Sequence, residues 1–153
     1  MSNSDPAFAK TAYSVWYLSQ VKLAEYWKMN ASDAYLLLLK KTFGRTPDSE
    51  LTMPANLHLT HSKVHELSVS DLEGEDDRFE SMLDAIFSRF NDYDTNPLAN
   101  AASQEKNRAM LVAHTSMSVG DIIEVHKHGG PTEIFICGGV GWQQLAAEHT
   151  TRV

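Results

Sequence analysis

The chain has 153 residues, and its 42% apolar and 22% charged content is ordinary globular composition, which excludes a disordered or collagen-like polymer. Its length suits one domain that buries roughly 70% of its unfolded surface and needs neither a disulfide nor a metal to hold it. Thirteen Lys plus Arg stand against 20 Asp plus Glu, and this net charge of −7 argues against nucleic acid, which attracts basic surfaces.

Asp5-Pro6 has the chemistry of a helix start, with a carboxylate to accept free amides and a proline suited to the first helical position. Phe8, Ala12, Trp16, Leu23 and Trp27 then recur at near-helical spacing and predict a helix to about Met29, although the Tyr, Val and Trp content of its middle also fits a strand. Ser32-Asp33 caps a second helix over 34–43, with Lys40 and Lys41 at its negative end and Gly44 and Pro47 as stops. Residues 46–56 read as a loop, and the partial alternation of 57–67 predicts a strand. Phe79, Leu83, Ile86, Phe87 and Phe90 form one apolar stripe of a third helix, and 91–97 is turn chemistry. A fourth helix is expected between Leu98 and Leu111.

Ser118-Val119-Gly120-Asp121 reads as a tight turn in which Gly120 supplies positive φ. Asp121 to Val125 and Glu133 to Cys137 pair as an antiparallel hairpin around Gly129-Gly130-Pro131. Gly138, Gly139 and Gly141 end its second strand, Trp142 to Glu148 is expected as a closing helix, and 149–153 as a tail. The expected fold is α+β, with three to four helices and a small antiparallel sheet of about three strands. Residues 1–55 form a helix pair, 56–153 the α+β part, and together they make one compact domain. The expected core holds Leu37, Leu57, Phe79, Leu83, Ile86, Phe87, Phe90, Ile122, Ile134, Ile136 and Trp142.

Several patterns resemble sites. His58, His61 and His65 have spacings that suit zinc on a helix, but an extended segment separates His58 from the other two and no Cys or carboxylate completes the set. His126 and His128 share one face at the end of the hairpin. Asp92, Asp94 and Asn96 imitate a calcium loop, with Pro97 and Ser103 where Gly and Glu are required. No metal or other cofactor is therefore expected. Cys137 with His114 as base is the one nucleophilic arrangement to consider, yet Cys137 sits in the apolar run Ile134-Phe135-Ile136, which raises a thiol's pKa. The glycines at 138, 139 and 141 lack the Lys and Ser/Thr of a phosphate loop.

The acidic run Asp71, Glu73, Glu75, Asp76, Asp77 and Glu80 reads as a solvated helix entrance, or as a surface that meets a basic partner. Glu73, Glu75, Asp76 and Asp77 are the candidate contacts, and Trp16, Tyr17, Tyr26 and Trp27 are candidate interface aromatics.

The run His114-Thr115-Ser116-Met117-Ser118-Val119-Gly120-Asp121-Ile122-Ile123-Glu124-Val125, followed by Phe135-Ile136-Cys137-Gly138-Gly139-Val140-Gly141-Trp142, resembles the YodL-like modules and related small proteins of plasmids and phages. Asn96-Pro97-Leu98 fits the same pattern, and the resemblance covers about residues 90–147. It implies an accessory role in a mobile genetic element and supplies no catalytic residues. Ser118, Gly120, Asp121, Gly139, Gly141 and Trp142 are then turn and hairpin residues. The expected function is non-enzymatic binding of a host or mobile-element protein with a basic surface, as a regulator or an inhibitor of host defence. An RNA- or DNA-binding module of PUA or ASCH type is the alternative, and a small enzyme using Cys137 and His114 is the third reading. The lone cysteine, the absence of a bilayer-length apolar run and an MSNSDPAF opening unlike a secretory signal lead to a cytoplasmic expectation and no membrane partner.

Overall fold

A computed structural model describes residues 11–44, 51, 53–72, 81–145 and 150–151. Within them lie β1 (Ala12–Leu18), α1 (Gln20–Trp27), α2 (Ala31–Lys41), β2 (Met53–Pro54), β3 (His61–Ser68), α3 (Met82–Arg89), α4 (Ala101–Ala109), β4 (Ile122–His126), β5 (Thr132–Gly138), β6 (Gly141–Leu145) and β7 (Thr150–Thr151). The chain is α+β. Five strands form one sheet in the order β3-β1-β4-β5-β6, every neighbouring pair antiparallel, and β2 and β7 form a separate parallel pair. No helix among the described residues is long and apolar enough to cross a membrane.

The sheet has more strands than the sequence predicts, and two reassignments account for the excess. The first concerns 12–18, expected as helix. These residues are β1, which lies between β3 and β4, so both sides of residue 55 contribute to one sheet. Tyr13, Val15 and Tyr17 face one core with Ile86 of α3 and Phe90 at its C-cap, while Trp16 and Leu18 face the other with Leu23 of α1 and Leu38 of α2. A strand buried on both faces loses the polar alternation that marks half-buried strands, and its apolar run then mimics a helix. Residues 5–10 of the predicted helix lie outside the described residues, and its end is α1, capped by the Ser19 side chain on Lys22 N–H. The second concerns Trp142 to Glu148, expected as a helix. Residues 142–145 instead continue β6, which pairs with β5 across a tight turn at Gly138↔Gly141, and 146–148 lie outside the described residues.

Elsewhere the boundaries shift. Leu57–Leu59 is a 3-10 turn before β3, and α4 occupies Ala101–Ala109 within the wider predicted range. Helix α3 starts at Met82 with Ser81 as its cap, and Phe79 lies outside the described residues. The hairpin β4–β5 forms as expected, as does α2, capped by Asn30 instead of Ser32. Leu57, Ile86, Phe90, Ile122 and Ile136 are buried; Leu37, Leu83, Phe87, Ile134 and Trp142 are only half-buried. Leu38, not Leu37, is the fully buried leucine of α2.

The β5–β6 turn is seated on the end of α2. Gly139 N–H donates to Thr42 O at 3.0 Å, and a Cβ on Gly138 would stand 2.5 Å from that same oxygen and 3.0 Å from Gln143 Cδ. Only glycine fits there. Gln143 Nε2 in turn donates to the carbonyls of Thr42 and Gly44.

Two substitutions separate the core from its margin. Phe90→Ala, fully buried between Tyr17 and His65, is expected to cost about 3–5 kcal/mol in urea unfolding. Phe87→Ala, half-buried with its ring edge-on to Trp142, is expected to cost about half as much. Equal losses would contradict the placement of α3.

Candidate functional site

The densest polar arrangement gathers around one carboxylate. Ser118–Asp121 is a tight turn closed by Asp121 N–H to Ser118 O at 3.0 Å, with Gly120 at φ +97° as the turn requires. A side chain at Gly120 would also press on Leu38 and Leu18, whose Cδ2 atoms lie 2.9 and 3.1 Å from its Cβ position. The turn delivers Asp121 fully buried. One oxygen accepts from Leu18 N–H at 2.8 Å, the other from Ser118 N–H at 2.8 Å, and His114 Nε2 donates to both at 3.0 and 2.9 Å. Burial pushes this carboxyl above its usual range, and the donations from His114, Leu18 and Ser118 oppose that push.

The surroundings repeat the pattern of buried polar groups tied to backbone. His61 Nε2–H donates to Gly120 O at 2.7 Å, and its Nδ1 accepts from Thr60 Oγ1 at 2.7 Å. These bonds fit the neutral ring, and full burial lowers its pKa to about 4. Tyr17 stacks on the His114 ring at 4.5 Å and donates its hydroxyl to Thr115 O at 2.8 Å, and burial raises its pKa. Asn96 donates to the carbonyls of Phe90 and Thr115, and Asn107 to that of His114. His114, 28% exposed, also lines a polar cleft of about 140 Å³ with Asn107 and Arg108. An Asp–His pair can hold a general base in orientation. Among the described residues no hydroxyl or thiol is hydrogen-bonded to His114, and the pair ties residue 114 to the 118–121 turn.

Cys137 is near this centre in the fold but faces away from it chemically. Its backbone bonds to Gly120 and Asp121, its thiol is turned to Gly138 O at 3.9 Å, and no hydrogen bond joins it to His114. Burial, with the Asp121 charge, pushes the thiol up to about 12, the opposite of what a nucleophile needs. The three spaced histidines are dispersed: His58 is edge-on to Trp16, His61 is buried on Gly120, and His65 lies against Phe90. Burial lowers the pKa of His65. His126 bonds Ser14 Oγ, and His128 is exposed in the β4–β5 turn. Among the described residues no three His, Cys, Asp or Glu side chains gather as metal ligands.

The candidate interface residues divide. Trp16 and Tyr17 are buried in β1, so they form no exposed aromatic surface, while Tyr26 and Trp27 are half-buried on α1. Glu73, Glu75, Asp76 and Asp77 lie outside the described residues. Asp71 is exposed and accepts from Ser68 N–H at 2.8 Å, which holds its carboxyl below the usual range. Of the turn residues, Ser118, Gly120 and Asp121 converge on the carboxylate centre. Gly139 and Gly141 shape the β5–β6 turn, and Trp142 packs on α3. The ties made by Asn96, Asn107 and Gln143 were not read from sequence. Each is a carboxamide, a weak signal whose partner is known only after folding. Comparison with family models, curated proteins and solved structures gave no match.

The histidine tie makes stability pH-dependent. Because the His61 pKa is lower in the fold than the ordinary 6.5, the stability it contributes is complete above pH 6.5 and is lost as pH falls toward about 4. That loss is on the order of 3 kcal/mol over the window from 6.5 to about 4. His61→Gln is expected to flatten this slope in unfolding at a series of pH values, and NMR should show the His61 ring neutral at pH 5.5. Asp121→Asn places an amide donor against other donors and is expected to cost about 3–5 kcal/mol, read by urea unfolding at pH 7.

Proposed function

We propose that this chain is a non-catalytic protein-binding module. The observation that carries the proposal is an apolar ridge at one end of the sheet. Leu36 on α2 is 62% exposed, and Phe43, seven residues on and just past the helix end, is 69% exposed. Gly139 lies against Phe43, and its neighbour Val140 at the β5–β6 turn is 57% exposed. Large apolar side chains grouped in water mark interaction surfaces. The titratable groups that look catalytic are meanwhile engaged in holding the fold.

The expected partner is a protein with a basic surface, because the net charge of −7 and the acidic run 71–80 steer such an encounter. The likeness of residues 90–147 to YodL-like modules extends the proposal to an accessory role in a phage or plasmid, as a regulator or an inhibitor of host defence. That extension rests on the likeness alone.

The test places a benzophenone-bearing residue at Phe43 in cells that carry the protein, with exposed Ala102 as the control position. One protein is expected to cross-link from position 43 and not from 102, and Leu36→Ser with Val140→Ser should abolish the product. Changing Glu73, Glu75, Asp76 and Asp77 to Ser should slow association with that purified partner and flatten its salt dependence. Equal labelling from both positions would overturn the proposal.

A further inference from the structure

On the opposite side of the chain's charge balance stands a second surface. Lys22 of α1, His58 of the 3-10 turn, Lys63 of β3 and Met110 and Leu111 after α4 line a groove of about 280 Å³. The chain as a whole is acidic, so a basic groove is the anomaly to explain. Lys22 Nζ donates to His61 O at 3.2 Å and Ser62 Oγ at 2.8 Å, and among the described residues it has no carboxylate partner. An ammonium has three donors, so one remains for a ligand. Lys63 sits 5.5 Å over the Trp16 ring and pairs with Glu66 at 3.0 Å, an exposed contact that water weakens and a ligand can replace. The helix end at the groove is partly neutralised, because Met110 O already accepts from Ser62 Oγ at 3.0 Å.

Leu111 gives the groove its apolar half and carries a second signal. Helix α4 ends with Val112 N–H on Asn107 O at 2.9 Å, and Leu111 occupies the left-handed position of that ending, at φ +63°. Glycine takes that position without strain, whereas a side chain there is costly. The chain keeps a leucine there and leaves it 50% exposed. A strained, half-exposed leucine beside two ammonium groups costs stability that glycine would spare, as residues shaped by binding do. Val21 and Leu59, each next in the chain to a lining residue, are exposed as well.

We infer that this groove binds an acidic, leucine-type segment of a partner protein, with carboxylates on Lys22 and Lys63 and an apolar side chain against Met110 and Leu111. Charge complementarity selects the acidic segment. Nucleic acid fits less well, because Trp16 is buried and offers no ring face for a base to stack on. The inference goes beyond the ridge at Phe43: it gives the chain two binding surfaces of opposite preference, one for a basic partner and one for an acidic segment.

The test titrates isotope-labelled full-length protein with a 15-residue peptide of alternating Glu and Leu. A Gln–Leu peptide and a single-stranded oligothymidine are titrated in parallel. The Glu–Leu peptide is expected to shift the amides of Lys22, Lys63 and Leu111, to bind at least tenfold tighter than the Gln–Leu peptide, and to weaken with added salt. Lys22→Gln with Lys63→Gln should lose that tenfold preference. Leu111→Gly should weaken binding at least fivefold while its Tm stays at or above that of the native chain, which separates a binding residue from a packing one. Shifts absent from these residues, or Leu111→Gly binding unchanged, would overturn the inference, and tighter binding of the oligothymidine would replace the acidic segment by nucleic acid. Cross-linking at Phe43 is independent of these arms, so loss of the groove result leaves the protein-binding proposal to stand or fall by itself.

Discussion

A single buried carboxylate holds together parts of the chain that are about a hundred residues apart. Asp121 takes the Leu18 amide at the end of β1, the Ser118 amide of its own turn and the His114 ring. A carboxyl group sealed from water is tolerable only when it is hydrogen-bonded, and these donors supply the bonds. The backbone of the same residue joins β5 through Cys137 N–H at 2.8 Å, while Gly120 O receives His61 from β3. Strands β1, β3, β4 and β5 are thus fastened within a few residues of one atom pair. Removing any donor leaves a buried oxygen short of a partner.

With that centre fixed, the sheet acquires two covered faces. Helices α1 and α2 close one over Trp16, Leu18, Ile122 and Ile136, and α3 with the segment after α4 closes the other over Tyr13, Val15, Tyr17 and Ile123. Among the described residues β3 and β6 are the edges of the five-stranded sheet. Chemistry-bearing side chains near the centre serve as ties between elements. At the periphery Phe43 and Val140 are exposed at one place, and Leu111 lines a groove with Lys22 and Lys63 at another.

Much of this was legible where the signal is local. Gly120 in Ser-Val-Gly-Asp announced a turn with positive φ, because the steric rule acts within four residues. Helix α2 and the β4–β5 hairpin were equally plain, each having its own caps, stops or turn residues. The two misassigned segments, 12–18 and 142–145, are those whose state depends on distant partners. In β1 the apolar residues serve two cores at once, and no window of the sequence shows that a second core exists. In β6 the strand follows from pairing with β5 across a turn that needs Thr42 as its seat.

The sequence by itself determined the α+β class, the turn at 118–121, and the poor case for a reactive Cys137 in its apolar run. Each depends on chemistry between near neighbours. Tertiary structure alone decided that Asp121 is the buried hub instead of an ordinary turn residue, and that His61 and His114 tie distant elements to its turn. It also decided that Trp16 and Tyr17 are interior, whereas Phe43 is exposed and Leu111 half exposed. Burial is a property of where elements dock, and a carboxylate, a histidine or a leucine carries no mark of whether the chain will return to cover it.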